Sequence, residues 1–174
     1  MFKALLLGSA IAALSASGAF AHITLATGQA PAGSTYKAIL QVPHGCEGAA
    51  TTKVRVQIPE GFIAVKPQPK AGWTLDIVKG PYAKGYDNHG TQVTEGVKEV
   101  IWSGGNLPDA FYDEFLLRGT LTADFAVGST VYFPVIQECG SASDAWIAIP
   151  IEGQPEPELP APGVKIIEAA DSGH

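Results

Sequence analysis

Short runs of alternating apolar and polar residues, separated by glycine and proline, make up most of this chain from residue 22 onward. The clearest run is residues 52–58, in which Val54, Val56 and Ile58 fall on one side of an extended strand and polar residues fall on the other. No window shows the 3.6-residue apolar period of an amphipathic helix. The sequence therefore predicts an all-β protein.

The spacing of these runs indicates how the strands are arranged. Turn-forming residues stand between them at Pro59-Glu60-Gly61, Leu107-Pro108-Asp109 and Gly153-Gln154-Pro155. Short strands at this spacing are typical of an antiparallel β-sandwich, and we predict an immunoglobulin-like one that forms a single domain. Residues 155–162 are expected to be extended and residues 169–174 to be a frayed tail. Besides residues 52–58, strands are predicted at residues 36–42, 73–78, 97–102, 111–121, 130–136, 146–151 and 164–167.

The first 21 residues have the pattern of a cleaved signal peptide. Lys3 gives a charged start, residues 4–13 form a mostly apolar stretch, and Ala19-Phe20-Ala21 is an A-x-A cleavage site. Cleavage after Ala21 makes His22 the first residue of the mature protein. No later segment is long and apolar enough to cross a membrane. We therefore expect a periplasmic or secreted domain at residues 22–168 with no membrane span.

Charge and cysteine content narrow the class of protein further. Without Lys3, ten basic and seventeen acidic side chains leave a net charge of −7, which disfavours binding to nucleic acid or to anionic membranes. The only cysteines are Cys46 and Cys139, and an exported protein meets an oxidising compartment. One disulfide between them is the simplest interpretation, and a cysteine-ligated metal site is the alternative.

Motifs that mark many enzymes are absent: the sequence has no P-loop, GxSxG, HExxH, CxxC or dinucleotide fingerprint. We therefore expect a protein that is not an enzyme. Histidine is scarce, at positions 22, 44, 89 and 174 only. An N-terminal His22 still offers two nitrogen donors to a metal, its α-amine and its imidazole.

A series of short motifs in a fixed order resembles the YcnI-like copper-binding domain family. The resemblance covers nearly the whole mature chain, and it implies a β-sandwich that handles copper outside the cytoplasm. It is carried by His22-Ile23-Thr24, Pro43-His44-Gly45-Cys46, residues 51–61, Val65-Lys66-Pro67-Gln68-Pro69, Gly72-Trp73, Trp102-Ser103-Gly104-Gly105, Leu107-Pro108, Phe111-Tyr112-Asp113-Glu114-Phe115, Tyr132-Phe133-Pro134-Val135 and Trp146.

The resemblance also implies a copper site. His22 supplies the amine and imidazole of a single-histidine brace on Cu(II), Glu114 supplies a carboxylate, and Trp146 stands beside the metal. The backbone amide of Ile23 is a further nitrogen whose part residue type does not decide. Both nitrogens of His22 bind metal only without their protons, so binding is expected to weaken as the pH falls.

Each of these residues also has a structural interpretation. Glu114 lies on the outer face of its predicted strand, where it is either solvated or paired with Arg118, and Asp113 is the alternative carboxylate. Trp146 is placed to pack against the disulfide, as are Trp73 and Trp102. His44 is either a loop residue beside Cys46 or a second, weaker ligand. His89 has the surroundings of a turn residue.

The donor set favours Cu(II) over Cu(I). The mature chain has no methionine, and with the cysteines in a disulfide only nitrogen and oxygen donors remain. We therefore predict a protein for copper buffering, delivery or homeostasis. Its expected partners are the copper ion and another periplasmic copper carrier or a copper-importing membrane protein. Two alternatives stay open: an oxidative copper enzyme of the histidine-brace type, and a metal-free immunoglobulin-like module for adhesion or assembly.

Overall fold

A computed structural model describes residues 22–169, so the predicted signal peptide and residues 170–174 of the predicted tail lie outside the described residues. Every regular element in this range is a strand, and no helix in it is long and apolar enough to cross a membrane. The strands are β1 Thr24–Leu25, β2 Gln29–Pro31, β3 Thr35–Val42, β4 Thr51–Gln57, β5 Phe62–Pro67, β6 Thr74–Asn88, β7 Thr91–Leu107, β8 Asp113–Leu121, β9 Thr130–Tyr132, β10 Val135–Cys139, β11 Ala142–Trp146 and β12 Gly163–Ile167.

Two main sheets and one small sheet form the domain. The first main sheet has the strand order β1-β3-β8-β5, and the second has the order β11-β10-β4-β7-β6. The small sheet, β2-β12-β9, contains the one parallel pair described, between β2 and β12. β1 and β11 are therefore edge strands of different sheets. The predicted all-β, immunoglobulin-like sandwich is confirmed.

Alternation along the strands fills the core between the sheets. Val54 and Val56 of β4 are fully buried, as the sequence pattern predicted, and they join one apolar cluster with Trp102 of β7 and Leu40 of β3. In β8, Phe115 and Leu117 face the core, whereas Glu114 and Arg118 are exposed. The prediction that Glu114 lies on the outer face of its strand is thus confirmed.

Five predicted strands differ clearly from the observed ones. Those expected over residues 73–78 and 97–102 are parts of the longer strands β6 and β7. The strand expected over residues 111–121 begins at Asp113, so Phe111 and Tyr112 precede it. The strand expected over residues 130–136 is interrupted at Phe133-Pro134, because proline has no N–H to donate to a sheet. The strand expected over residues 146–151 was wrong, since β11 ends at Trp146.

The predicted disulfide is present. Cys46 follows β3 in a loop, Cys139 ends β10, and both are 1% exposed. The bond therefore ties the loop after β3 to the second main sheet, and both thiols are used by it. His89 is confirmed as a turn residue: it and Gly90 form the two-residue connection between β6 and β7, and both have positive φ, as a type I′ hairpin requires.

Candidate metal centre

His22 and Trp146 meet where the two main sheets come together. His22 stands two residues before Thr24, on the outward side of the chain, whereas Ile23 points inward and is 1% exposed. Trp146 ends β11 and is 2% exposed. The two ring centroids are 5.8 Å apart, with the ring planes at 61°. The resemblance implies that Trp146 stands beside the metal, and in the structure its ring lies beside that of His22.

A loop between β11 and β12 adds a carboxylate to this corner. The loop is closed where Ala148 forms a bridge with Pro160, and its residues Pro150 and Glu156 line one depression together with residues 22–25. Glu156 Oε1 comes to 3.8 Å from His22 Nδ1. The Glu156 side chain is 68% exposed and that of His22 20%. An open depression beside them is lined by His22, Glu156, Pro157 and Glu158.

His44 brings a second imidazole to the same indole. Its ring centroid lies 6.5 Å from that of Trp146, with the planes at 62°. A hydrogen bond fixes the loop that carries His44: the Gly45 N–H donates to Asp109 Oδ1 at 3.0 Å. A Cβ at position 45 would lie 1.8 Å from the carbonyl oxygen of Ala49, so the loop that carries His44 requires glycine there. We call His22, His44, Trp146 and Glu156 the His22–Trp146 cluster.

The surroundings of the His22–Trp146 cluster are acidic. Burial raises the pKa of the Asp144 carboxyl, the charge of His44 opposes this shift, and Glu47 and Glu158 add to it. These carboxylates favour a cation at the corner. Within residues 22–169, no three side chains of His, Cys, Asp or Glu form a group that could hold a metal ion. A brace needs fewer side chains, because one N-terminal histidine supplies two donors.

Glu114 lies in a neighbouring network. Its strand, β8, pairs with β3, which pairs with β1, so that Glu114, Gln41 and Thr24 stand side by side across the sheet. The Tyr112 hydroxyl donates to Glu114 Oε1, and Gln41 Nε2 donates to the same oxygen at 3.4 Å. Desolvation and the bond to Glu114 raise the pKa of Tyr112. Two strand spacings, about 10 Å, separate the backbone of Glu114 from β1. Asp113, the alternative carboxylate, instead pairs with Lys70 at 2.6 Å.

Sequence reasoning missed two residues of this region. Glu156 stands in a proline-rich stretch with no periodicity, so nothing in the local sequence placed it near His22. Gln137 did leave a signal: it occupies an inward-facing position of β10, between Val135 and Cys139, and a polar residue at such a position needs buried hydrogen-bond partners. Its partners are Trp146, His44 and Thr51.

The sequence profile of a family described as a domain of unknown function, DUF1775, matches residues 22–166. The chain belongs to the DUF1775 family. This DUF1775 domain is also similar in structure to an uncharacterized protein from Nocardia farcinica, whose crystal structure reveals an immunoglobulin-like fold. The two share 25% sequence identity with a TM-score of 0.63, over 84% of this chain and 98% of the other. No curated protein matches the chain.

Proposed function

We propose that this DUF1775 domain is an exported Cu(II)-binding protein, of the YcnI-like copper-binding type, that buffers or delivers copper without acting as an enzyme. The observation that carries the proposal is the position of His22: its imidazole sits at the junction of two sheet edges, against a buried tryptophan and beside a carboxylate. Cleavage after Ala21 would turn the backbone nitrogen of His22 into a free amine at that same point.

The donor chemistry of the His22–Trp146 cluster suits Cu(II). Cu(II) binds well to amine and imidazole nitrogens, and among the divalent first-row ions it binds such sites most tightly. Soft ligands for Cu(I) are missing, because Cys46 and Cys139 form a disulfide and Met1 lies in the predicted signal peptide. Trp146 has no role as a ligand, since an indole N–H only donates. Its ring excludes water from one side of the imidazole.

Two carboxylates are candidates for completing the site. The resemblance implies Glu114, whereas Glu156 is the one whose oxygen lies 3.8 Å from His22 Nδ1. Nitrogen and oxygen ligands lie about 2 Å from a first-row ion such as zinc. Two ligand atoms that are 3.8 Å apart can therefore both bind one ion placed between them. Glu114 is also held by Tyr112 and Gln41, and it would have to leave both. On these distances we propose Glu156 as the nearer carboxylate.

Removing each carboxylate separately tests this choice. Glu156→Gln is expected to weaken Cu(II) binding about tenfold, because the charge beside His22 is lost while the size of the side chain is kept. Glu114→Gln, the matched variant in the neighbouring network, is expected to change the affinity less than about twofold. Competition titration with a Cu(II) chelator measures both. A larger loss in Glu114→Gln would contradict the choice and support the residue that the resemblance implies.

The proposed function itself is tested by a Cu(II) titration of protein that begins at His22, followed by tryptophan fluorescence. We expect one-to-one binding with quenched indole emission. His22→Ala is expected to abolish tight binding, because both the imidazole and its chelate ring with the amine are lost. Trp146→Phe is expected to remove most of the quenching, since Trp146 is the tryptophan beside His22.

His89→Asn is the control, because it removes a histidine from the distant β6–β7 turn and asparagine tolerates the positive φ of that position. It is expected to bind copper like the wild type. Equal binding by wild type and His22→Ala would contradict the proposal and leave a metal-free immunoglobulin-like module as the better explanation.

A further inference from the structure

One buried amide joins the parts of the molecule that surround the His22–Trp146 cluster. Gln137 is fully buried, and its side chain makes three hydrogen bonds. Its Oε1 accepts from the indole Nε1 of Trp146 at 3.0 Å. Its Nε2 donates to the carbonyl oxygen of His44 at 2.7 Å and to Thr51 Oγ1 at 2.8 Å.

The orientation of this amide is fixed by its partners. An indole N–H can only donate, and a backbone carbonyl can only accept. Oε1 must therefore face Trp146 and Nε2 must face His44, because the flipped amide would place like groups against each other. An apolar residue of the same size would leave the indole N–H and the His44 carbonyl without this partner inside the protein, which is costly.

The three bonds connect separate segments of the chain. Trp146 belongs to β11, Thr51 begins β4, and His44 lies in the loop after β3. The same loop is held by the disulfide, and the Cys46 Sγ lies 3.7 Å from the backbone oxygen of Gln137. The disulfide fixes where the loop sits, and Gln137 fixes how the loop and the indole are oriented relative to each other.

We propose that Gln137 is a positioning residue of the copper site. It holds the indole of Trp146 in the orientation that meets the His22 imidazole, and it keeps the His44 loop beside that indole. The inference rests on the proposed function and deepens it. Gln137 itself does not touch the metal, and it acts through Trp146.

Gln137→Met tests this role, because methionine is of similar length and has no amide. In the metal-free protein, the Trp146 indole N–H signal in a nitrogen-correlated NMR spectrum, assigned by its absence in Trp146→Phe, is expected to shift. In protein that begins at His22, Cu(II) affinity is expected to fall about fivefold. The decisive comparison is the double variant: in the Trp146→Phe background, Gln137→Met is expected to change the affinity less than about twofold.

Two control variants separate positioning from a general loss of stability. Val54→Ala removes buried apolar volume from β4, and it is expected to lower stability while copper affinity stays at the wild-type value. Thr51→Val removes one hydrogen bond to Gln137 but leaves its bonds to the indole and to His44. It is also expected to lower stability while copper affinity stays at the wild-type value. If Gln137→Met does not fold, Gln137→Glu is measured instead: its carboxylate still accepts from the indole, so the indole signal and the copper affinity are expected to stay near the wild-type values, and a loss of affinity of about fivefold would overturn a role that acts through Trp146.

The outcomes are distinguishable. An equal loss of affinity in the wild-type and Trp146→Phe backgrounds, or no loss in either, overturns the positioning role while the copper function stands. Wild-type protein that begins at His22 and binds no Cu(II) overturns the proposed function and the copper role of Gln137 together. Loss of affinity confined to the background with tryptophan, together with the shifted indole signal, supports the inference.

Discussion

Replacing Cys46 and Cys139 together with alanine is expected to lower the free energy of unfolding by about 4 kcal/mol. The bond closes a loop between residues separated by 93 positions, and without it the unfolded chain gains the conformational freedom of that whole loop. Both cysteines are buried, so the apolar contacts of their side chains are reduced as well. For a domain of this size the melting temperature should fall by roughly 10 °C.

Thermal unfolding followed by far-UV circular dichroism measures this effect. Wild-type protein treated with a reductant is the matched control, because it differs only in the bond, and its melting temperature should fall toward that of the alanine variant. A fall of less than about 3 °C in the variant would contradict the account, since it would mean that the bond does not restrain the unfolded chain. The alanine variant is also expected to bind Cu(II) more weakly than the wild type, because the bond no longer holds the loop that carries His44.

The strands that the sequence predicted well are those whose alternation is regular. Residues 52–58 and 36–42 alternate between core and solvent, and they correspond to β4 and β3. β5 was missed for the opposite reason: Ala64 has a positive φ, and the pairing shifts register between Ile63 and Lys66, so the strand lacks a period of two. Local pattern identifies regular strands and fails where a bulge interrupts them.

The end of β11 shows a different limit. Ile147, Ile149 and Ile151 alternate like a strand, yet they are 49%, 50% and 69% exposed. The true strand lies before them, because Cys139 pairs with Ala142 across a two-residue turn in which Gly140 has a positive φ. The pair Gly140-Ser141 is a turn signal in the sequence, and it indicates that a strand begins just after it and ends near Trp146.

The candidate site was predictable only in part. His22 followed from the cleavage pattern, and Trp146 followed from the resemblance, since no periodicity links two residues so far apart in the chain. Glu156 depends on how the loop closed by Ala148 and Pro160 folds back, and tertiary contacts alone decide that. Glu114 was correctly placed on an outer strand face, but β3 lies between its strand and β1.

Acetylation of the His22 amine is expected to weaken Cu(II) binding on the order of 100-fold, because the acetylated nitrogen is an amide and the small chelate ring that it closed with the imidazole is lost. The acetyl group brings no new amine to the site, whereas the amine of an added residue would form fused chelate rings on Cu(II) with the amide and imidazole nitrogens of His22. The fold is expected to stay the same, because His22 stands before the first strand, at the surface of the domain.

The most direct test of the copper site compares two proteins that both start at His22, one with a free amine and one whose His22 amine is acetylated. A Cu(II) competition titration gives the affinities, and electron paramagnetic resonance reports the nitrogen ligands. His89→Asn with a free His22 amine is the control, and it should bind like the first. We expect tight one-to-one binding with nitrogen hyperfine structure only when the His22 amine is free. Equal affinity with and without the acetyl group would contradict the proposed site and move the metal away from the N-terminus.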